Sequence, residues 1–376
     1  MIIDISDSTF KSILNDENLF LPIRWDGSNF SYTLGELFNY YIKKLETLIP
    51  DNANDFNCAK SYIRDIKKTC GLINKAVEHY LNGFPSKAYS AFERTMTLLM
   101  DNPLKIYQKS IIEQFKTPST RYGKDDDLKL FRAVSVEDNR PYQKARVFHT
   151  PYNLRSKVST CRYSIAGYPS LYLGTSLALC CEEIHMNPHQ NFALASMFKL
   201  EKEFEYTNTH IQVIELGVKP QDFINNRNND IVNIRRISSS LLEDRNIRTA
   251  YLFWYPLIAS CSYIRVNKKD PFAAEYIIPQ LLMQWVRSEM CSKQNGEYDQ
   301  LVGIRYFSCA SIKASDMGFN YVFPTSGLQK AAELPYCSIL SKAFRLTNPV
   351  YIHEYDDIGK CELELRKSTD FDDITN

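Results

Sequence analysis

No stretch of this sequence stays apolar long enough to cross a bilayer. The most apolar window, Tyr251 to Ile264, is short and contains Pro256, so no membrane-spanning helix is expected. A dominant charge of either sign is missing too. In 376 residues, 45 Lys and Arg face 44 Asp and Glu, a formal +1. That balance gives no electrostatic reason to bind nucleic acid or an anionic membrane. Arg235-Arg236 and Lys268-Lys269 are pairs, too small to count as patches. The ten cysteines contain no C-x-x-C pair and mostly sit in apolar stretches. This argues against a disulfide framework or zinc knuckle and predicts small buried thiols in a reducing, cytoplasmic setting. The opening residues Met1-Ile2-Ile3-Asp4-Ile5 meet acids at once, so no signal peptide is expected.

Familiar phosphate and nucleophile motifs are lacking as well. There is no G-x-x-x-x-G-K-[ST], no G-x-G-x-x-G opening a helix after a strand, and no G-x-S-x-G elbow. Of the six histidines, His185 and His189 have helical spacing, but Asn187-Pro188 between them breaks a helix. With no third ligand nearby, no metal site is expected.

What is present divides in two. Residues 1–120 read as an α-helical bundle. Thr33 and Glu36 have capping-box spacing, and Leu34, Leu37, Phe38, Tyr41, Leu45 and Leu48 follow on one face before Pro50. Ile63, Ile66, Cys70, Ile73, Val77 and Tyr80 predict a second helix ending at Asn82-Gly83. Ser86 reads as the cap of a third, and Leu104 to Phe115 as a fourth. No Arg in this part is followed by His at the four-to-six-residue spacing of HEPN nucleases, so RNase chemistry is not expected there. Thr117 to Asp127, with Pro, Gly and three consecutive acids, predicts the domain boundary.

Residues 121–376 change texture. Strands are predicted at Leu128–Val134, Ser170–Gly174, Ile211–Val218, Val302–Ser308 and Tyr321–Phe323, with an edge strand at Pro349–His353. Helices are predicted from Ser176 to His185, Tyr251 to Ile264 and Glu275 to Ser288. Strands and helices without regular alternation predict an α+β fold. Asp370 to Asp373 reads as a frayed tail.

The chemistry concentrates in Phe148 to Ile184. Basic and aromatic residues (His149, Tyr152, Arg155, Arg162, Tyr163) precede a Gly/Pro turn, a strand through Tyr172, and a helix ending in Glu182-Glu183. Singly, Arg162 reads as an ion-pair residue, Tyr172 as a core ring and Glu183 as a solvated helix residue. Together they place anion donors, stacking rings and a carboxylate on neighbouring elements.

These residues resemble the RES family. The likeness runs through Phe131-Arg132-Ala133; His149, Pro151 and Arg155; and Arg162, Tyr163, Ser164, Gly167, Leu171, Tyr172 and Leu173. It continues at Glu183, eleven residues past the Tyr, at Tyr276 and Gln280, and at Gly303, Ile304, Arg305, Tyr306, Ser308 and Asn320. The adjacent Glu182 is the alternative carboxylate. The resemblance implies an ADP-ribosyltransferase-like fold with a mixed β core, and an enzyme that cleaves NAD⁺ as a toxin or defence effector.

In that reading NAD⁺ is the substrate, and no further cofactor and no metal are needed. Glu183 stabilises positive charge on the ribose, Arg132 and Arg162 hold the pyrophosphate, and Tyr172 and Tyr163 contact the nicotinamide side. Ser308 hydrogen-bonds the ribose or the amide, and His149 and Arg155 either face the phosphates or brace the Arg162 loop. An antitoxin or regulatory partner and a homo-oligomer are expected, with neither nucleic acid nor membrane as partner. The alternatives are an ADP-ribosyltransferase acting on a macromolecule and a nucleotide-binding module without turnover.

Overall fold

The computed structural model describes residues 5–49, 56–101, 129–186, 192–201, 211–224, 245–267, 269–290, 301–325 and 335–374. The first of these form four helices, α1 (Asp7–Leu14), α2 (Phe30–Leu48), α3 (Phe56–Leu81) and α4 (Pro85–Asp101). In α2 the buried residues Phe30, Leu34, Phe38, Tyr41 and Leu45 recur every three or four positions and so form one stripe. Its cap is Asn29, which accepts from the Tyr32 N–H, and not the expected Thr33–Glu36 box. Asn caps as well as Thr, and the earlier start brings Phe30 into the core. Thr33 lies in the first turn and donates to the Asn29 carbonyl. After α3 the chain turns at Gly83, φ +79°, with the Phe84 N–H reaching the His79 carbonyl at 2.8 Å. That left-handed turn favours glycine. Pro85 then opens α4 in place of the expected Ser86 cap, because a first-turn N–H is not needed.

The remaining elements are β1 (Lys129–Val136), β2 (Ser170–Gly174), α5 (Leu177–Glu183), β3 (Phe192–Leu200), β4 (Ile211–Leu216), α6 (Pro220–Ile224) and α7 (Arg245–Ser260). They continue with α8 (Ile277–Trp285), β5 (Leu301–Tyr306), β6 (Asn320–Pro324), α9 (Ser338–Ala343), β7 (Phe344–Leu346), β8 (Val350–Tyr351) and α10 (Ile358–Lys367). The strands form one sheet in the order β4-β5-β6-β2-β1-β3-β7, with β8 also on β3. β4 and β5 run parallel and the other pairs antiparallel, which makes the fold α+β. β1 follows β3 from Lys129↔Lys199 to Val136↔Phe192, and β2 follows β6 from Ser170↔Pro324 to Gly174↔Asn320. Between β1 and β2 the register holds at Phe131↔Gly174 alone. The sheet is therefore two halves joined at a narrow seam.

Three expectations need correction. The tail is docked: Leu346 and Asp372 exchange backbone hydrogen bonds, Lys144 pairs with Asp372 at 2.7 Å, and Ile374 is buried. Asp372 serves a buried lysine and Asp373 pairs with Arg345 at 2.6 Å, partners that a composition reading cannot see. The helix expected over Glu275–Ser288 is a 3₁₀ turn, α8 and a π turn over Val286–Met290. The edge strand is Val350–Tyr351, followed by a 3₁₀ turn.

The helix expected at Leu104–Phe115 and the boundary near residue 120 lie outside the described residues. α2, α3 and α4 share one apolar cluster with α7, α8 and the sheet residues Ile214, Ile304 and Val322. Each large side chain buried there contributes about 1.5–3 kcal/mol. Buried tyrosines keep their hydroxyls satisfied by bridging the layers: Tyr41 donates to the Leu252 carbonyl at 2.6 Å and Tyr255 to that of Leu19 at 2.9 Å. Among the described residues no helix is long and apolar enough to cross a membrane. Cys70, Cys161, Cys180, Cys181, Cys261, Cys309 and Cys361 are free thiols.

Candidate active site

A cavity of about 370 Å³ opens where the two sheet halves part. Its size lies within the range of small-molecule sites. β1 contributes Arg132, β2 contributes Tyr172 and Gly174, and the end of α5 contributes Glu183 and His185. The turn before β2 supplies Cys161 and Arg162, and the chain after β5 supplies Cys309 and Ala310. Asn320 at the start of β6, Tyr306 at the end of β5 and two residues between α7 and α8, Arg265 and Tyr276, also line it.

Local structure explains why these side chains meet. Beyond Phe131↔Gly174 the β1–β2 ladder stops, and Arg132 Nη1 takes the place of a ladder donor by bonding the Tyr172 carbonyl at 3.0 Å. Its Nε is buried with no hydrogen-bond partner among the described residues. Ser176 caps α5 by accepting from the Leu179 N–H at 3.2 Å, which fixes the direction of the helix. A Cβ at position 174 would lie 2.7 Å from Cys180 Sγ, so glycine lets α5 pack onto β2 and bring Glu183 to the seam. Asn320 Nδ2 then donates to Glu183 Oε1 at 2.5 Å. Two residues past the end of α5, His185 is held at φ +50°, a conformation rare for a residue with a side chain.

Arg162, 8% exposed, is braced by the chain it faces: Nη1 bonds the Cys261 carbonyl at 3.1 Å and Nη2 that of Tyr263 at 2.8 Å. Its guanidinium also lies 4.8 Å from the Tyr276 ring centre. Tyr172 donates its hydroxyl to the Tyr163 carbonyl at 2.8 Å. Burial pushes the hydroxyls of Tyr163, Tyr172 and Tyr306 well above their ordinary pKa, so they act as neutral donors. Burial also raises the Cys309 thiol to about 11 and pushes Cys180 up as well, so neither is a ready thiolate nucleophile.

Of the residues singled out in the sequence, Arg132, Arg162, Tyr172 and Glu183 line this one cavity, and Glu182 does not. Tyr163 and Ser308 are not in the lining. Tyr163 is fully buried, with its ring 4.6 Å from that of Tyr306, which is a lining residue. Ser308, also fully buried, accepts from the N–H of the lining residue Ala310 at 3.1 Å. His149 and Arg155 are not in the lining either. His149 Nδ1 meets the Thr150 carbonyl at 2.8 Å while Nε2 accepts from the Cys337 N–H at 2.9 Å. Both ring nitrogens thus serve the scaffold, and burial pushes this imidazole down to about 4, so it is neutral. Arg155 lies over the rings of Tyr152 and Tyr168. Gln280 braces the Arg162 turn by donating to the Cys161 carbonyl at 3.3 Å.

Sequence reasoning missed Arg265, which lies in a connection with no periodicity to mark it. The π turn after α8 was equally silent. Among the described residues no group of three or more His, Cys, Asp and Glu is placed to hold a metal ion.

No family model matches the chain, and no solved structure does. The sequence is 30% identical over 342 residues, 88% of this chain and 68% of the other, to the Bacillus subtilis (strain 168) protein named Putative toxin YopC. At that identity, over that share of both proteins, the chain belongs to the family of Putative toxin YopC.

Proposed function

We propose that this protein is a toxin that breaks the nicotinamide–ribose bond of NAD⁺, as a glycohydrolase or phosphorylase. The observation that carries the reading is one cavity whose lining brings together the guanidinium groups of Arg132 and Arg162 and, as its one carboxylate among the described residues, Glu183, held by Asn320. The name of the Bacillus relative supports the toxin role, and the RES resemblance supports the substrate.

The chemistry follows from the groups present. As the bond to nicotinamide lengthens, positive charge grows on the ribose ring, and an oriented carboxylate beside it lowers that charge's energy. The departing nicotinamide keeps the bonding electron pair and leaves as a neutral base. Water or phosphate then adds to the ribose carbon, and water gives up a proton in doing so. Arg132 and Arg162 hold the pyrophosphate through guanidinium N–H donors, which fixes the sugar against Glu183. Tyr172 and Tyr306 supply ring surface and exclude water from the reacting bond.

Purified protein should release nicotinamide from NAD⁺, and Glu183→Ala should stop the release while the fold is retained. Running the assay with and without phosphate, and tracing labelled NAD⁺ into a lysate, separates water, phosphate and macromolecular acceptors. Absence of nicotinamide release under all three conditions would remove the reading.

A further inference from the structure

The lining of the cavity is unbalanced in charge. Among the described residues, three arginines, one from each of three distant segments, stand against one glutamate. Arg162 gives Nη1 and Nη2 to the carbonyls of Cys261 and Tyr263. Those carbonyls precede Arg265, so Arg162 braces the segment that carries the third arginine. Arg265 has its guanidinium 5.2 Å from the Tyr276 ring centre, beside Arg162 at 4.8 Å from the same ring. Its Nη2 donates to the Asp270 carbonyl, while Nε is buried with no hydrogen-bond partner among the described residues. Two cations held against one ring at the wall of the cavity favour a bound anion.

The same segment is held from its other side by the N-terminal layer. Ile23 forms a parallel bridge to Tyr263: its N–H bonds the Ser262 carbonyl at 2.9 Å and its carbonyl accepts from the Ile264 N–H at 2.8 Å. Trp25 meets the Tyr263 ring edge-on at 6.2 Å, and Val266 lies against Gly27. Further along, Phe272 stacks on Tyr80 of α3 with an interplanar angle of 9°.

We propose that Arg265 is a third residue gripping the substrate's diphosphate, and that the N-terminal helical layer fixes its position. The diphosphate of NAD⁺ carries two negative charges, which match the excess of two guanidiniums over the single carboxylate. Naming that diphosphate as part of NAD⁺ rests on the function proposed above.

Binding of inorganic pyrophosphate to the full-length protein, measured by calorimetry, tests the grip apart from turnover. Arg265→Ala should weaken it about tenfold, the 1.4 kcal/mol equivalent of one charge-assisted contact. Arg265→Lys should restore part of the loss, and AMP, with one phosphate, should be affected less than pyrophosphate. Equal pyrophosphate affinity in Arg265→Ala and wild type overturns the inference, and so does a wild type that does not bind pyrophosphate. Melting curves show whether each variant is folded, and Arg265→Gln replaces the alanine variant if that one is not.

Phe272→Ala, which removes an exposed stack outside the cavity, should weaken pyrophosphate binding about threefold if the helical layer sets the segment. Unchanged affinity there removes the second half of the proposal. The NAD⁺ reading fails separately. A protein that grips pyrophosphate through Arg265 but releases no nicotinamide keeps this inference and loses that reading. One that releases nicotinamide with the same KM before and after Arg265→Ala does the reverse.

Discussion

Arg305 and Glu215 are built from the same side chains as Arg132 and Glu183, yet the two sets serve opposite ends. Glu215 on β4 and Arg305 on the parallel strand β5 form an ion pair, 2% and 12% exposed. The Gly217 N–H also bonds Glu215, and the Arg305 guanidinium lies 4.6 Å from the Phe319 ring centre. These contacts are all internal to the fold. At the seam between β1 and β2, by contrast, Arg132 has no carboxylate partner among the described residues, and Glu183 is exposed and faces a cavity. A sealed pair holds the fold together, whereas charges left open to a cavity suit a ligand. Arg305 belongs to the motif that carries the RES resemblance, so motif membership alone does not separate the two roles.

The comparison is broken most directly at Glu183. Glu183→Gln should lower nicotinamide release by about a thousandfold, as loss of a group stabilising transition-state charge does. Its denaturation midpoint should hardly move, because the side chain is exposed. Glu182→Gln should keep near-normal turnover, and equal losses in both variants would show that the carboxylates are misassigned.

Glu215→Ala should do the opposite. Removing one member of a buried pair leaves Arg305 uncompensated, at a cost of about 3–5 kcal/mol, readable as a shifted urea midpoint. Replacing both partners with Met should recover most of that loss. A single variant as stable as wild type would mean that the pair contributes little.

His149 offers an intermediate test. Burial holds its folded pKa at about 4, below the unfolded value of about 6.5. The unfolded chain therefore takes up the proton first as pH falls. The stabilisation is complete above about pH 6.5 and is lost toward pH 4, by up to about 3 kcal/mol. His149→Gln should be less stable at neutral pH and should flatten this slope. An unchanged slope would assign the acid sensitivity to other groups.

These contrasts also mark how far the sequence could be read. Helical stripes in α2 and α3 were legible because their outer faces meet water, and so was Ser170–Gly174, bounded by turn residues. β3 was not, because FALASMFKL is buried along most of its length, shows no alternation and contains two alanines. α10 was missed for the reverse reason: it is polar, and only Cys361 and Leu365 are buried. In the site, Arg132, Arg162, Tyr172 and Glu183 were legible through motif order. Arg265 and the internal role of His149 were not, because each depends on a tertiary neighbour that no local spacing encodes.

Asn320 gives the smallest and most selective test of the open set. It is 5% exposed and directs its amide at Glu183, so its contribution is to aim the carboxylate. Asn320→Ala should cut kcat by about tenfold, the value of one hydrogen bond to a charged group spent on orientation. KM should change little, since the arginines remain. Asn320→Asp distinguishes aiming from mere packing. It keeps the shape but sets a second carboxylate against Glu183, and like charges at that distance favour a shared proton. In the proposed mechanism Glu183 acts as the ionised carboxylate, so the acid limb of the activity profile should then move to higher pH, by about one unit or more. If Asn320 only fills space, the Asp variant will keep the wild-type profile, and Glu183 must be oriented by the backbone of α5 alone.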